Sequence, residues 1–290
     1  MINLGVRTKG KSEKYFLEIV EMTMNMFNRQ MGTDFSLENV EVRLVSRKDA
    51  DEVLPVFLAN YEDAVEPVMF VPGYIESIRA EAFVVRDRQG ILARTDLDDI
   101  NGYQWRHLIL HELSHIFCTR NELESKERFY KKYCENFTDN EIEDGYINAG
   151  YTIWKEFIAE FMAIIIDEDM ADNHLSMFAS HNNHMVDEIE AMVNDDKLCM
   201  SAILIDIISS VETVRSENFD ELVEALNYHG YGKVLESRNL LEIVRNVYEQ
   251  ILTKNFWQID LDFIETIGSL YVGYKTMLMI KKTGFLGIEV

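Results

Sequence analysis

The chain has 290 residues, 47% of them hydrophobic, which is enough to bury a sizeable core in one large domain or two lobes. Its formal net charge is −23, from 51 acidic and 28 basic side chains, so we expect neither nucleic acid nor an anionic membrane as a partner. Three cysteines without a CxxC pair exclude a disulfide framework and a cysteine-rich zinc ribbon.

Targeting signals are not recognisable. No stretch reaches the roughly 20 uninterrupted apolar residues of a membrane span. The first residues, "MINLGVRTKGKSEKYF", contain no apolar segment and no small-residue cleavage site of a secretory signal. We therefore expect a soluble, cytoplasmic protein.

The first hundred residues combine one helix with several strands. Apolar residues recur at helical spacing from Ser12 to about Gln30, and "MGTD" ends that pattern. Four short runs rich in β-branched residues then predict strands, at residues 40–46, 68–75, 80–87 and 90–96. Since "RDRQG" joins the last two runs, they should form a hairpin, and we predict a small, mostly antiparallel sheet.

From Asn101 onward the sequence shows helical periodicity broken by short polar segments. Strands followed by helices predict an α+β fold and not alternating βαβ units. The first helix after the strands contains "HLILHELSHI", and we expect Asp96, Asp98 or Asp99 to cap its beginning.

This helix carries the pattern HExxH, formed by His111, Glu112 and His115. Residues four apart lie on one helix face, about 6 Å apart along the axis, so the two imidazoles can bind one ion. Glu112 lies beside them and can take a proton from water. Two neutral nitrogen ligands and a nearby carboxylate are what a catalytic zinc site requires, and the surrounding residues are apolar.

A catalytic zinc site of this type needs a third protein ligand. The residues after His115, "IFCTRNEL", lack the glycine and histidine of the metzincin pattern. The best source is the apolar helix predicted over residues 150–166, in which Glu156 and Glu160 lie four apart and so share a face. Buried carboxylates need a partner, which makes both residues candidates for the site.

HExxH followed by a helix with two glutamates four apart resembles the gluzincin class of zinc metallopeptidases, and "EFIAEFMA" is similar to the corresponding helix of ImmA/IrrE-type proteins. The resemblance covers about residues 80–169. It implies a zincin-like fold, with His111, His115 and Glu156 as zinc ligands and Glu112 as general base. Glu160 would be the carboxylate that orients a ligand imidazole, that of His111.

Residues 119–150 lengthen the interval between the two helices of the site. We interpret them as an ordered insertion, either a lid or a solvated helical hairpin. After residue 171 we predict about five helices that pack as a helical lobe, at 184–195, 199–214, 219–229, 239–256 and 260–282. The predicted domains are therefore a zincin-like catalytic domain, 1–171, and a helical lobe, 172–290.

The predicted function is hydrolysis of peptide bonds in a peptide or protein substrate, with one Zn²⁺ per chain, a metal-activated water and Glu112 as general base. The alternative is a metal-binding regulatory or interaction protein without catalytic activity. Glu112 favours catalysis, because a purely structural zinc site does not need a carboxylate there. Several residues are chemically suitable as donors to the oxyanion: Tyr146, Tyr151, His181, His184, His229 and Tyr231.

Overall fold

The structure of the chain is a computed structural model. It describes residues 2–64, 74–121, 123, 141–167, 216–228, 231–252 and 261–283. The chain divides into two units. The first contains Met1–Glu124 and Ile165–Met170, and the second contains Ser125–Ile164 and Ala171–Val290. The predicted first domain, 1–171, includes the helix of Glu156, whereas most of that helix belongs to the second unit. The division into 1–171 and 172–290 stays a prediction.

The first unit begins with a helix and contains all the strands of the described chain. Its elements are α1 (Glu13–Met31), β1 (Glu41–Val45), α2 (Ala50–Leu58), a 3₁₀ helix (Ala59–Ala64), α3 (Tyr74–Ser77), β2 (Ala80–Val85), β3 (Arg88–Arg94) and α4 (Gly102–Arg120). The Ser12 side chain accepts from the Tyr15 N–H at the start of α1, and Gly32 ends the helix with φ 67°. The predicted N-terminal helix and the strands at 40–46, 80–87 and 90–96 are confirmed.

The sheet is mixed, not mostly antiparallel as predicted. Its strand order is β1-β3-β2, with β2 antiparallel to β3 and β1 parallel to β3. The hairpin turn makes β3 antiparallel to β2, whereas a long connection through α2 leaves the direction of β1 free of any turn constraint. Strand β3 therefore lies in the centre of the described sheet, and β1 and β2 form its edges.

Two further elements differ from the prediction. Helix α2 was not predicted, and it contains Pro55, a residue that disfavours a helix interior. It forms because Phe57 and Leu58 become buried. The strand expected at residues 68–75 is wrong at its end, where Tyr74 and Ile75 begin α3; residues 68–73 lie outside the described residues.

The core of the first unit lies on both faces of the sheet. On one face, Phe57, Tyr61 and Phe83 form an aromatic cluster whose ring centroids are 4.9–5.5 Å apart, and Leu92 packs with them. Ile91 and Ala93 alternate with Leu92 along β3 and are also buried. Helix α4 packs against β2, β3 and α1.

The second unit is helical in its described residues. It contains most of α5 (Glu141–Ile166), α6 (Phe219–Tyr228), α7 (Gly232–Leu235), α8 (Arg238–Leu252) and α9 (Leu261–Thr283). The helices predicted at 219–229, 239–256 and 260–282 are confirmed where they are described. Those predicted at 184–195 and 199–214 lie outside the described residues.

Helices α5 and α9 cross at two glycines. A Cβ atom added at Gly150 would collide with the Ile264 carbonyl oxygen, and one added at Gly268 would collide with the Tyr146 carbonyl oxygen. The two backbones therefore approach more closely than any larger residue would allow.

The fold is α+β, as predicted. None of the described helices combines the length and the apolar character that crossing a bilayer requires.

Candidate metal centre

Helix α4 carries the HExxH motif, and its start is determined locally. The Asn101 side chain accepts from the Gln104 N–H at 3.1 Å, and the Gln104 side chain accepts from the Asn101 N–H at 2.9 Å. This reciprocal capping box satisfies two backbone donors that the first turn leaves without helical partners.

The predicted caps Asp96, Asp98 and Asp99 are wrong because each of these carboxylates pairs with a basic side chain. Asp98 binds Lys9 at 2.6 Å, Asp99 binds Arg79 at 3.0 Å, and Asp96 binds Arg94 at 2.9 Å. Burial alone would raise the pKa of Asp96, but hydrogen bonds from the backbone N–H of Arg47 and the Arg94 guanidinium outweigh it, so the pKa lies below its usual value.

Helix α4 is firmly held by its apolar residues. Trp105 is 1% exposed, its ring lies 4.9 Å from that of Phe16, and its Nε1–H donates to the Arg94 carbonyl oxygen at 2.8 Å. At the other end, Arg120 donates to Gln89 and to the carbonyl oxygens of the β2–β3 turn. The motif therefore lies on a helix anchored at both ends.

The two motif histidines face each other. Their Nε2 atoms are 3.0 Å apart, and their ring centroids are 4.6 Å apart. His115 is buried and His111 is half-buried, so one side of the pair is open to solvent. As neutral imidazoles, one Nε2–H can donate to the other Nε2; with an ion bound, both lone pairs can point at the same cation.

Glu112 lies between the histidines in sequence and is 6% exposed. A buried carboxylate is costly unless it is hydrogen-bonded, paired or close to a cation. The role of Glu112 as general base stays a prediction.

Glu156 is brought to the same place as the histidine pair. The ligand atoms of His111, His115 and Glu156 all lie within 4.8 Å of one another. Among the described residues no other group of three or more His, Cys, Asp or Glu side chains comes together in this way. The three predicted ligands thus form a cluster that could hold a metal ion.

The neighbours of Glu156 on α5 differ in burial. Glu160, one turn later, is 8% exposed, and its predicted contact with His111 stays a prediction. Lys155 is half-buried, and its Nζ lies 3.7 Å from the Glu156 carboxylate. The lysine therefore places a positive charge next to the candidate third ligand.

The predicted insertion at 119–150 is shorter than expected. Thr119 and Arg120 still belong to α4, and α5 begins at Glu141, so residues 141–150 are the first turns of the helix that carries Glu156. The possible lid falls on residues 124–140, which lie outside the described residues.

The candidates for the oxyanion donor stay predictions. Tyr151 and Tyr231 are buried and Tyr146 is half-buried, whereas His181, His184 and His229 lie outside the described residues.

One buried ion pair near the motif was not predicted from the sequence. Arg106 on α4 donates through Nε to the Asp167 carboxylate at 3.0 Å and through Nη2 to its second oxygen. The side chain of Arg106 is 4% exposed and that of Asp167 is 0% exposed. A signal existed in the sequence, because Asp167 directly follows a long apolar run and Arg106 lies among apolar residues of the motif helix.

The ligand set is chemically suited to zinc and less suited to calcium or magnesium. Two imidazoles and one carboxylate match the ligands of many catalytic zinc sites, whereas calcium and magnesium prefer oxygen ligands. In tetrahedral zinc sites, with bonds of about 2.0 to 2.1 Å, two ligand nitrogens lie roughly 3.3 Å apart, and the histidine nitrogens here are 3.0 Å apart.

No family model, curated protein or solved structure matches the chain.

Proposed function

We propose that the protein is a zinc-dependent peptidase of gluzincin type. The observation that carries this proposal is the clustering of the ligand atoms of His111, His115 and Glu156 within 4.8 Å. Zinc bound there would supply a Lewis acid that polarises the scissile carbonyl and makes water a better nucleophile.

The proposed acid and base chemistry belongs to Glu112. Its carboxylate takes a proton from the attacking water while the water oxygen bonds to the carbonyl carbon. The same carboxyl group then delivers that proton to the nitrogen, and the carbon–nitrogen bond breaks. The low exposure of Glu112 supports this role, since a carboxylate shielded from water is more easily tuned for proton transfer.

Glu160 is proposed to orient a ligand imidazole, that of His111, by accepting from its ring N–H. Burial of Glu160 on the helix of Glu156 supports this proposal, because buried carboxylates are normally hydrogen-bonded. Such a contact would select one tautomer of the ring and leave the other nitrogen free for the metal.

A peptide or protein is the proposed substrate, and the cytoplasm is the proposed location. The exposed sides of His111 and Glu156 support access for a substrate, since both ligands are half-buried.

Glu112→Gln tests the catalytic part of the proposal. Its shape is nearly unchanged, but the amide cannot accept the proton, so turnover should fall by about 10²- to 10⁴-fold. Hydrolysis of a peptide library by the zinc-loaded protein is followed by mass spectrometry, with zinc content measured in parallel. Glu76→Gln, at an exposed glutamate in α3, serves as the control.

Unchanged turnover in Glu112→Gln would refute the assigned base. Zinc bound by the wild-type chain, with no hydrolysis of any library member, would favour the alternative of a metal-binding regulatory protein.

A further inference from the structure

Arg106 and Asp167 form a two-point contact inside the first unit. The Nε and Nη2 groups of Arg106 donate to the two different oxygens of Asp167, so the contact fixes orientation as well as distance. Both side chains are almost fully shielded from water.

Stability alone is a weak reason for such a pair. A buried ion pair loses much of its attraction to the desolvation of both charges, and well-packed apolar residues often stabilise a core equally well. The Arg94–Asp96 pair of the same unit shows the ordinary case, in which the arginine is 4% exposed but the aspartate is 28% exposed. A fully buried two-point contact therefore indicates that the position of Asp167 has to be held accurately.

The position of Asp167 in the chain shows what this requirement concerns. Asp167 directly follows Ile166, the last residue of α5, and Arg106 lies on α4 five residues before His111. The pair thus ties the end of the helix that carries one candidate ligand to the helix that carries the other two.

Helix α5 transmits this constraint to Glu156. It is an unbroken helix from Glu141 to Ile166, and Glu156 precedes Asp167 by about three turns, or roughly 16 Å along the axis. Because a helix of this length is stiff, a tilt or slide at its end moves Glu156 as well. Functional ligands must be held to about 0.5 Å, so a small movement is enough to weaken a metal site.

On the basis of the proposed zinc site, we propose that Arg106 and Asp167 are positioning residues that act through Glu156. Since His111 and His115 are placed by α4 itself, loss of the pair should weaken the contribution of the third ligand and leave that of the histidines unchanged.

Arg106→Lys tests this proposal, because lysine keeps the positive charge but loses the paired, planar N–H groups that bind both oxygens of Asp167. Zinc affinity is measured by competition with a chelator in the wild-type background and in the Glu156→Ala background. We expect a loss of about tenfold or more in the wild-type background, the scale seen when groups supporting a metal ligand are removed. In the Glu156→Ala background we expect a change of less than about twofold, since coupled residues are not additive.

Asp96→Asn in both backgrounds is the matched control, and it should leave zinc affinity within about twofold while weakening the Arg94–Asp96 pair. An equal loss from Arg106→Lys in both backgrounds, or no loss in either, would overturn the positioning role. No zinc binding by the wild-type chain would instead refute the proposed function itself.

If Arg106→Lys does not fold, the double replacement Arg106→Met with Asp167→Leu takes its place, because an apolar pair avoids an unpaired buried charge. The same loss is expected only where Glu156 is present, and an equal affinity to wild type would overturn the proposal.

Discussion

Helices α4 and α5 supply the candidate metal ligands, but different parts of the chain determine their positions. Helix α4 begins at its own capping box and packs through large side chains such as Trp105. Helix α5 crosses α9 through the glycine contacts at Gly150 and Gly268, which are more than a hundred residues apart in sequence.

This difference separates two kinds of site residue. His111, Glu112 and His115 have a mutual geometry that follows from helical spacing alone. The distance of Glu156 from the histidines depends on tertiary packing around α5. Helix α5 is therefore the part of the candidate site most easily disturbed by substitutions far from the ligands.

The largest effect is expected where α5 crosses α9, at Gly150. Gly150→Ala should reduce the free energy of unfolding by about 1–3 kcal/mol, because the added methyl group collides with the Ile264 carbonyl oxygen and forces the two helices apart. Thermal and urea unfolding monitored by circular dichroism measure the change.

Gly145→Ala on the same helix is the matched control, since an added Cβ there meets nothing within 4 Å. It should be neutral or stabilising by up to about 1 kcal/mol, from the better helix propensity of alanine. Equal effects of the two substitutions would show that helix propensity, and not the crossing, determines their cost.

A smaller effect is expected at Lys155. Its Nζ lies 3.7 Å from the Glu156 carboxylate, where its positive charge would compete with a cation bound at the proposed site. Lys155→Met removes this competing charge and should therefore increase zinc affinity. The increase should be only a few-fold, because partly exposed charges interact weakly. Lys275→Met, on α9, controls for the change in net charge. A decrease in affinity at Lys155→Met would show that the lysine instead supports the ligand.

Local patterns predicted α1, the β2–β3 hairpin and the motif helix, because their signals lie within one or two turns of chain. The same reasoning identified Glu156, since two glutamates four apart in an apolar helix require a polar environment. The α+β class also followed from the order of these elements.

The features that were missed depend on distant residues. The parallel pairing of β1 with β3 and the burial of α2 against the sheet are not encoded in any short pattern. Asp167 directly follows an apolar run, but its pairing with Arg106 joins residues 61 positions apart and follows from no local pattern. The caps proposed at Asp96, Asp98 and Asp99 failed because each aspartate finds a basic partner elsewhere or nearby in the chain.

Zinc content of the purified chain tests the central claim most directly. It is measured by inductively coupled plasma mass spectrometry after zinc loading and gel filtration, for the wild type, His115→Ala, Glu156→Ala and the control His107→Gln. His107 lies on α4 one turn before His111 and does not belong to the ligand cluster. The proposed site predicts about one zinc per chain in the wild type and the control, and loss of that zinc in the other two. Full zinc in Glu156→Ala would contradict the assignment of the third ligand.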